Sequence, residues 1–415
     1  MEFVADFHIH SRYSRATSKE MNLETLEKWA GIKGIKILGT GDFTHPQWIK
    51  ELKEKLEPAE SGLFKLKNSN SDVRFLLTTE VSCIYSKKGK VRKIHIIIFA
   101  PFLNIVEKIN TRLAWIGNLN ADGRPILGLD AKELLKIVLN VSEDCLIVPA
   151  HIWTPWFSLF GSKSGFDSIE ECFEEYSKYI FAAETGLSSD PAMNWRLSAL
   201  DRITLISNSD SHSPAKIGRE ANVFDTEISY YEMAKAIKEK DSKKLLYTIE
   251  FFPEEGKYHY DGHRLCGISF SPKESNKYNN LCPHCGKPLT IGVLNRVEQL
   301  ADRPEGFKPQ NSVPFKSLIP LEEIIADALN VLPGTMQVER EYKNLIKNFV
   351  NEFNVLLKTK KEDLEKVTMP KIVEGIIKTR EGKVFIEPGY DGVYGKIKIF
   401  SQAEEKEVLK QKTLF

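Results

Sequence analysis

The sequence predicts an α/β fold in which seven strand–helix units form a barrel, followed by a small cysteine-rich element and a mainly helical C-terminal region. Three observations support this prediction. Seven short apolar runs recur in the first half of the chain, helical patterns separate them, and histidines and carboxylates stand at their ends. Alternating strands and helices are typical of a parallel sheet, and seven such units in one stretch favour a barrel.

The apolar runs are short and rich in β-branched and aromatic residues, which favours buried strands over helices. They cover residues 3–7, 35–38, 75–77, 94–99, 145–148, 180–183 and 203–206. Helical patterns cover residues 22–33, 45–56, 131–140 and 168–176 between them, and residues 321–331 and 340–358 near the C-terminus. Residues 381–400 contain glycine-rich turns and are predicted to form a hairpin.

At or just past the ends of six of the seven runs lie side chains of types that can bind metals. They are His8, Asp42, Glu80, His151, Glu184 and Asp210. His95 is the exception, because it lies near the start of its run. A single histidine serves packing as readily as metal binding, but six of the nine histidines lie at these places. Functional residues of βα barrels lie at the C-terminal strand ends, so the pattern predicts a multinuclear metal site at one mouth.

The 415 residues are too many for one small core and predict two or three domains. We expect the barrel in residues 1–250, the cysteine-rich element in 251–303 and the helical region in 304–415. A net charge of +1 gives no global support for nucleic-acid binding, so any such surface must be local. No signal peptide or membrane-spanning run is visible, and we expect a cytoplasmic protein.

Three of the six cysteines form a pattern that suits a structural Zn²⁺ site. His263 and Cys266 make one ligand pair, and Cys282 and Cys285 make a second pair with equal spacing. The fourth ligand stays open, with His263 favoured by spacing and His259 and His284 as alternatives. Free thiols with a chance spacing are the simpler explanation. The other cysteines lie in apolar or amphipathic surroundings typical of small core residues.

Several motifs together resemble the PHP (polymerase and histidinol phosphatase) superfamily. They are Asp6-Phe7-His8-Ile9-His10-Ser11, Gly41-Asp42-Phe43-Thr44-His45, Glu80, His95, Pro149-Ala150-His151 and Ser209-Asp210-Ser211-His212. Their combination with the cysteine element and the C-terminal region is similar to the endonuclease Q family, over nearly the whole chain. The resemblance implies a distorted seven-stranded βα barrel and a repair nuclease that nicks DNA 5′ of deaminated bases.

The resemblance also implies the ligands of two or three divalent cations, Zn²⁺ with Mn²⁺ or Mg²⁺ as alternatives. His8, His10, Glu80 and Asp210 would hold one ion. His45, His95, His151 and His212 would serve the neighbouring positions, with Glu80 as a bridge. Phe43 and Thr44 separate Asp42 from His45, so either of these two is the expected ligand. Ser14-Arg15-Ala16 stands where many relatives carry another histidine.

The implied reaction is hydrolysis of the phosphodiester 5′ of uracil, hypoxanthine, xanthine or an abasic site. Two metals would activate a water and stabilise the leaving oxygen, giving a 3′-hydroxyl and a 5′-phosphate. His151, Asp210 and His212 are the expected catalytic residues, with either histidine as proton donor. A phosphoesterase of the histidinol phosphatase type and a catalytically silent DNA-binding accessory protein are the alternatives.

A basic turn between Glu80 and His95 is a candidate DNA contact. It carries Tyr85, Lys87, Lys88, Lys90, Arg92 and Lys93. One interpretation is a phosphate-contacting hairpin with Tyr85 as a stacking wedge, and the alternative is a solvated charged turn. Arg296 and Arg303 are further candidates for phosphate contact, with surface ion pairs as the alternative.

The loop after His151 is rich in aromatic, Gly and Ser residues and is predicted to receive a flipped base. A donor facing the new carbonyl of a deaminated base and an acceptor facing its ring N–H would refuse the undamaged base. The candidates are Trp153, Trp156, Phe157, Ser164 and Asn194. Aromatic core packing is the alternative for any one of the rings.

The last residues resemble the motif that binds the sliding clamp (PCNA), with Gln411 ahead of an apolar plug of Leu414 and Phe415. The alternative is a mobile tail with incidental hydrophobic residues. The expected partners are therefore double-stranded DNA with deaminated or abasic lesions and a sliding clamp. We expect the protein to work at the nucleoid.

Overall fold

The computed structural model describes residues 1–400 of the chain. Its strands, numbered in chain order, are β1 (Glu2–Asp6), β2 (Ile35–Gly39), β3 (Leu56–Pro58), β4 (Phe64–Leu66), β5 (Arg74–Lys87), β6 (Lys90–Ala100), β7 (Ile126–Leu127), β8 (Leu146–Pro149), β9 (Ala182–Glu184), β10 (Thr204–Ile206), β11 (Ala221–Asp225), β12 (Leu245–Glu250), β13 (Asp261–His263), β14 (Ile268–Phe270), β15 (Phe315–Ser317), β16 (Phe385–Glu387) and β17 (Lys396–Lys398). The predicted clamp-binding residues Gln411, Leu414 and Phe415 lie outside the described residues.

The α-helices are α1 (Leu23–Lys33), α2 (Pro46–Lys55), α3 (Leu103–Ala114), α4 (Ala131–Leu139), α5 (Ile169–Phe173), α6 (Pro191–Asn194), α7 (Tyr230–Lys238), α8 (Pro272–Lys277), α9 (Val293–Leu300), α10 (Leu321–Leu329), α11 (Met336–Phe349), α12 (Lys361–Leu364) and α13 (Pro370–Arg380). Side chains of Asn22, Asp130 and Ser168 cap the first turns of α1, α4 and α5. Among residues 1–400, no helix combines the length and apolarity needed to cross a bilayer.

The main sheet is mixed and runs in the order β15-β12-β11-β1-β2-β5-β4-β3, with β6 joining β5 to β8. Strands β1, β2 and β5 are parallel, as predicted. The predicted parallel direction is wrong for β6, which pairs antiparallel with β5 and β8. Strand β11, which was not predicted, pairs antiparallel with β1. Strands β5 and β6 form a long hairpin, whose turn consists of Lys88 and Gly89.

The next strands continue past β8 as a separate parallel pair, β9 and β10. Within residues 1–400 no strand pairing joins β8 to β9 or β10 to β11. At these junctions the backbone N–H of Ile152 donates to Glu184 O at 3.1 Å, and that of Ser207 donates to the Asn222 side chain at 3.0 Å. A closed barrel of seven strands therefore stays a prediction.

The core consists of two apolar clusters on opposite sides of the sheet. One lies between the strands and the flanking helices and includes Leu26, Trp48 and Leu134. The other joins residues of β1, β6 and β8 to residues of α7 and includes Phe7 and Phe99, whose rings are 5.2 Å apart. Polar residues that follow β1 and β10 and lie in β5 come together at one place, which is called the mouth below.

The C-terminal part packs directly on the N-terminal part. Strand β15 adds to the main sheet beside β12, and Lys33 of α1 forms a buried ion pair with Glu352 at 2.6 Å. Helices α10, α11 and α13 and the β16–β17 hairpin agree with the predicted helical region and hairpin. The division into domains at residues 250 and 303 stays a prediction.

Candidate functional site

The first group of candidate ligands lies at the open mouth. His8 and His10 follow β1, Glu80 lies within β5, and Asp210 follows β10. One ligand atom from each of the four residues lies within 4.8 Å of the other three. His10 Nε2 is 3.1 Å from Asp210 Oδ1 and 3.2 Å from Glu80 Oε2. The expected first ion site is therefore assembled from residues that are up to two hundred positions apart.

Glu80, His95 and His151 form a second group of candidate ligands. Glu80 Oε1 lies 2.6 Å from His95 Nδ1 and 3.1 Å from His151 Nε2, while Glu80 Oε2 faces the first group. Each oxygen of Glu80 thus serves one group, as a bridging carboxylate requires.

The antiparallel direction of β6 explains why His95 lies near the start of its apolar run. In the hairpin, His95 pairs with Ser82 and Glu80 pairs with Ile97, so His95 and Glu80 are diagonal neighbours. Because β6 runs opposite to β5, its first residues lie near the mouth at which the parallel strands end. The exception in the sequence pattern is therefore a consequence of strand direction.

Three residues of this region hold backbone conformations that non-glycine residues rarely adopt. Asp42 has φ +50°, His151 has φ +30° and Asp210 has φ +47°. Such conformations cost about 1–3 kcal/mol each and persist where the surroundings impose them, commonly at functional sites. Gly186 makes room for His151, because a Cβ at Gly186 would lie only 2.5 Å from the His151 Cβ.

Two carboxylates orient the histidines of the first group from behind. Glu184 lies 3.0 Å from His8 Nδ1, and Asp42 lies 3.0 Å from His10 Nδ1. The other oxygen of Asp42 accepts hydrogen bonds from Ser11 and Ser14. Asp42 lies outside the ligand groups found in residues 1–400, and its contact orients His10, so its role as a metal ligand stays a prediction.

His45 and His212 also lie outside the two groups. His45 caps α2, with its Nδ1 accepting the backbone N–H of Gln47 at 3.3 Å, and its ring stacks on Tyr13 at 4.5 Å. The His212 ring is 4.5 Å from the His10 ring at the open side of the mouth. That His45 and His212 bind a metal stays a prediction.

The donor atoms of the first group fit a cation. His8 Nε2, His10 Nε2 and Asp210 Oδ1 are buried and have no hydrogen-bond partner among the described residues. Burial lowers the pKa of His8, but the carboxylates of Glu184, Glu80 and Asp210 raise it well above its ordinary value. Burial outweighs Glu80 at His95 and lowers its pKa to about 4. Converging imidazoles and carboxylates of this kind suit divalent metals.

Arg124 is a charged neighbour that the sequence analysis missed. Its Nη1 donates to Glu80 Oε2 at 3.0 Å. The carboxylate of Glu80 raises the pKa of Arg124 above its ordinary value, with further contributions from Asp210 and Asp122. Arg124 lies in a loop between apolar runs, and no local pattern marks it. Glu184 does carry a signal, since it ends a run, but the sequence did not assign it a role.

The predicted DNA-contacting hairpin is only partly available to a ligand. Lys88 and Lys90 are exposed at its tip. Lys87 pairs with Asp130 and Glu174 at 3.3 and 2.8 Å. Tyr85 is half-buried, with its hydroxyl 3.8 Å from Cys172 Sγ, and burial raises its pKa above the ordinary value. Its role as a stacking wedge stays a prediction.

The other cations of the hairpin lie on aromatic rings of the following loop. Arg92 stacks on Phe166 at 4.1 Å, and Lys93 lies 5.2 Å from the centre of the Phe157 ring. Arg296 donates to Phe160 O at 3.0 Å and forms an ion pair with Asp167, which fixes this loop. Arg303 pairs with Asp201 at 2.5 Å. Both arginines therefore form the ion pairs given above as the alternative to phosphate contact.

Of the predicted base-pocket residues, Trp156 is the most open, at 42% exposed. Trp153 is buried and donates to Asn194 Oδ1 at 2.7 Å, while the Asn194 amide donates to Ser189 and Asp190. Phe157 and Ser164 pack together, because the backbone N–H of Phe157 donates to Ser164 Oγ at 3.2 Å. The Phe157 ring lies 4.8 Å from the His95 ring.

A cleft of about 310 Å³ opens beside Trp156. Tyr258 and Tyr394 line it, and Lys257 lies 5.7 Å from the centre of each tyrosine ring. The cleft adjoins the metal-ligand groups, because Leu187 lines it and the preceding Gly186 packs on His151.

The cysteine-rich element brings together the predicted zinc ligands His263, Cys266, Cys282 and Cys285. Their ligand atoms lie within 4.8 Å of one another, and Cys285 Sγ is 3.6 Å from His263 Nδ1. Desolvation would raise the pKa of Cys282, but the backbone N–H groups of Cys285 and His284 lower it to about 6. Three thiols and an imidazole at this spacing suit tetrahedral Zn²⁺.

Comparisons with known proteins agree with this architecture. Residues 320–383 match the family of the MJ0043 C-terminal domain. The uncharacterized protein MJ0043 of Methanocaldococcus jannaschii is 36% identical over 315 residues, which are 72% of this chain, and the chain spans only 39% of that protein's length. The uncharacterized protein YqxK of Bacillus subtilis is 31% identical over 418 residues, with 96% of this chain and 99% of YqxK covered.

Two solved structures are similar over nearly their whole length. The lesion-specific endonuclease PfuEndoQ from Pyrococcus furiosus has a TM-score of 0.86 and 32% identity, with 99% of both chains covered. An endonuclease Q complex with a 27-mer duplex substrate, bearing an abasic lesion at the active site, has a TM-score of 0.84 and 32% identity, with 98% of both covered. The chain therefore belongs to the endonuclease Q family.

Proposed function

We propose that this protein is a metal-dependent DNA repair endonuclease that hydrolyses the phosphodiester 5′ of a deaminated or abasic nucleotide. The observation that carries the proposal is Glu80, whose two oxygens face two separate groups of metal-binding side chains. Two cations bridged by one carboxylate suit cleavage of a phosphodiester, because both the attacking and the leaving oxygen develop charge. The activity of PfuEndoQ and the duplex in the second structure support DNA as the substrate.

The two groups would each hold one cation, from His8, His10, Glu80 and Asp210 on one side and Glu80, His95 and His151 on the other. Zn²⁺, Mn²⁺ or Mg²⁺ bound there would lower the pKa of a water and stabilise charge on the leaving oxygen. Glu184 and Asp42 keep His8 and His10 in the orientation that points Nε2 into the site. Thr154 holds His151 through a contact of 3.2 Å to Nδ1.

His212 is our candidate for moving a proton at the leaving oxygen, with His151 as the alternative. The side chain of His212 is 32% exposed and reaches the solvent side of the first group. Its Nδ1 is 2.9 Å from the backbone carbonyl of Asp210, which leaves Nε2 directed away from that contact. A histidine in this position is within reach of a bound phosphodiester and of water.

The aromatic cleft beside Trp156 is our candidate for the extruded nucleoside. Its volume of about 310 Å³ lies in the range of small-ligand sites. Trp156 and Tyr258 offer stacking faces, and Ser188 offers a hydroxyl group for the edge of a base. Uracil, hypoxanthine and xanthine share a carbonyl beside a ring N–H, so one donor–acceptor pair would accept all three. An abasic site would leave the cleft empty.

Binding of duplex DNA is assigned to the mouth and the hairpin tip. Lys88 and Lys90 are exposed there, whereas Lys87, Arg296 and Arg303 are engaged in ion pairs. Phosphate contacts from two lysines would position the duplex without reading its sequence. We also propose binding to a sliding clamp through Gln411, Leu414 and Phe415, a structural Zn²⁺ in the cysteine element, and work at the cytoplasmic nucleoid.

The test is a nicking assay. Metal-loaded protein is incubated with end-labelled duplexes that carry one uracil, one hypoxanthine or one abasic site, with an undamaged duplex and a small phosphomonoester alongside. We expect a nick on the 5′ side of each lesion and none in the undamaged duplex. Phosphate release from the monoester alone would favour a small-molecule phosphoesterase, and no reaction would favour a silent DNA-binding protein.

The variant Asp210→Ala tests the site assignment. We expect it to lose nicking, since Asp210 faces His8 and His10 in the first group. Asp72→Ala is the matched control, because the Asp72 side chain is 93% exposed. Thermal unfolding of both variants shows whether they fold. Nicking by a folded Asp210→Ala protein at the wild-type rate would overturn the assignment.

A further inference from the structure

Arg124 is the charged group at the mouth to which the proposed reaction gives no role. Its side chain is 27% exposed, although it contacts the buried carboxylate of Glu80. Nη1 makes that contact at 3.0 Å. Within residues 1–400, the only hydrogen bond of the Arg124 side chain is the one that Nη1 donates to Glu80. One edge of the guanidinium therefore faces the site while donors remain open to a ligand from solvent.

The backbone beside Arg124 is held firmly. The N–H of Arg124 donates to Asp122 Oδ1 at 3.2 Å, and the N–H of Gly123 donates to Tyr13 O at 3.0 Å. Pro125 O accepts the N–H of Ser82, which lies in the same strand as Glu80. A Cβ at Gly123 would lie 2.3 Å from Asp42 Oδ2, so the loop approaches the orienting carboxylate as closely as a backbone can.

Arg124 is placed where it can bind an anion that enters the mouth. The guanidinium lies near Glu80 and Asp210, the two carboxylates of the first group. Cations held by the two groups would compete with Arg124 for the charge of Glu80. The guanidinium, which is partly exposed, would then be free to pair with another anion. A planar fork of N–H donors binds two oxygens of a phosphate at once, which a lysine cannot do.

We propose that Arg124 binds the non-bridging oxygens of the phosphate to be cleaved. This inference rests on the proposed function, and it adds a substrate-contacting residue at the cleaved bond. In the absence of cations, the same guanidinium stabilises Glu80. The residue therefore exchanges one anionic partner for another when the site is loaded and DNA enters.

The experiment combines Arg124 variants with a substrate that lacks the relevant charge. Arg124→Gln, Arg124→Lys and wild-type protein are compared on a lesion duplex with a normal phosphate at the cleaved position and on one with a neutral methylphosphonate there. Equilibrium affinity is measured with cations present in the His212→Ala background, which removes the proposed proton donor and leaves both ligand groups intact. Nicking rates are measured in the native background. Arg15→Gln is the matched control, since Arg15 contacts Asp122 at the same rim and is 74% exposed.

We expect Arg124→Gln to lower the nicking rate about 100-fold or more, with Arg124→Lys between it and wild type. Protein that carries Arg124 should bind the methylphosphonate duplex more weakly than the normal duplex. Arg124→Gln protein should bind both duplexes almost equally, because it has already lost the contact. Arg15→Gln should behave as wild type in both assays. Equal losses from methylphosphonate with and without Arg124 would overturn the inference.

A second readout does not depend on cleavage. Cation affinity of the DNA-free protein is measured by competition with a chelating dye, and we expect Arg124→Gln to bind cations several-fold more tightly, because a competing charge is removed from Glu80. Weaker cation binding by a folded variant would show that Arg124 only supports the ligands. If wild-type protein nicks no lesion duplex, the proposed function is wrong. If Arg124→Gln protein nicks at the wild-type rate, only the inference about Arg124 is wrong.

Discussion

Glu184 Oε1 lies 3.0 Å from Nδ1 of His8, and both side chains are buried. The other oxygen of Glu184 accepts the backbone N–H of His151 at 2.9 Å, so this one carboxylate supports both groups of candidate metal ligands. Asn208 in turn donates to Glu184 Oε1 at 2.9 Å. A carboxylate behind a ligating histidine fixes its tautomer and raises its basicity.

Glu184→Gln should therefore weaken cation binding by about 10–100-fold while leaving every proposed ligand in place. The measurement is a titration of the metal-free protein with Zn²⁺ or Mn²⁺ against a chelating dye. Glu175→Gln is the control, because the Glu175 side chain is 66% exposed. An affinity equal to that of the wild type would show that Glu184 does not support the site.

Cys282→Ser should remove about one equivalent of zinc per chain and lower the unfolding temperature, because three thiols and one imidazole share the predicted ion. Zinc is counted by elemental analysis, and unfolding is followed by circular dichroism. Leu265→Ser, a change at an exposed residue next to Cys266, controls for the loop itself. Unchanged zinc content in Cys282→Ser would contradict the four-ligand site.

Stability should fall between pH 4.5 and about pH 8 because of a buried acid. Burial raises the pKa of Glu250 from 4.5 to about 8, although hydrogen bonds from Thr248 and Thr185 oppose the shift. The folded protein thus keeps a proton that the unfolded chain releases. The stabilisation is complete below pH 4.5 and is lost as the pH rises through about 8.

Glu250→Gln should flatten this dependence, since an amide stays neutral at every pH. Wild-type stability should decline by at most about 1.4 kcal/mol per pH unit from this group. Urea unfolding at several pH values measures it, and Glu227→Gln, at an exposed position, serves as the control. A variant whose stability falls as steeply as that of the wild type would assign the effect to other groups, such as Glu220, whose pKa burial also raises.

The double change Lys88→Ala and Lys90→Ala should weaken binding to damaged and undamaged duplexes alike. Each phosphate contact contributes about 0.9 to the slope of log affinity against log salt, so the slope should fall by about 2. Fluorescence anisotropy at several salt concentrations measures it. Lys28→Ala with Lys347→Ala, two exposed helix lysines, matches the charge change. Equal slopes for the two double variants would exclude the hairpin tip from the interface.

Residue types and their positions along the chain were enough to predict which side chains meet. His8, Glu80, His151 and Asp210 each follow or lie in an apolar run, and strands of one sheet bring such positions to a common mouth. The cysteine pairs were predicted in the same way, because two pairs with the spacing of metal ligands are visible without knowledge of the surrounding fold. The α/β class and the C-terminal helices followed from periodicity.

Other features depend on strand direction and on contacts between distant segments. Asp42 has the chemistry of a ligand, yet in the fold it lies behind His10, and a sequence cannot tell the two positions apart. Lys87 contributes to a basic run but is neutralised by Asp130 and Glu174 from two other segments. Arg124 comes from a loop that only packing brings to Glu80.

By itself, the sequence determined which donor atoms are available and where the strands that carry them begin and end. Only the tertiary structure decided which oxygen of Glu80 faces which histidines, and which charges are already paired. The physical reason is that coordination and ion pairing depend on distances of a few ångströms between segments far apart in the chain. Chain order and residue type fix no such distance until the sheet is folded.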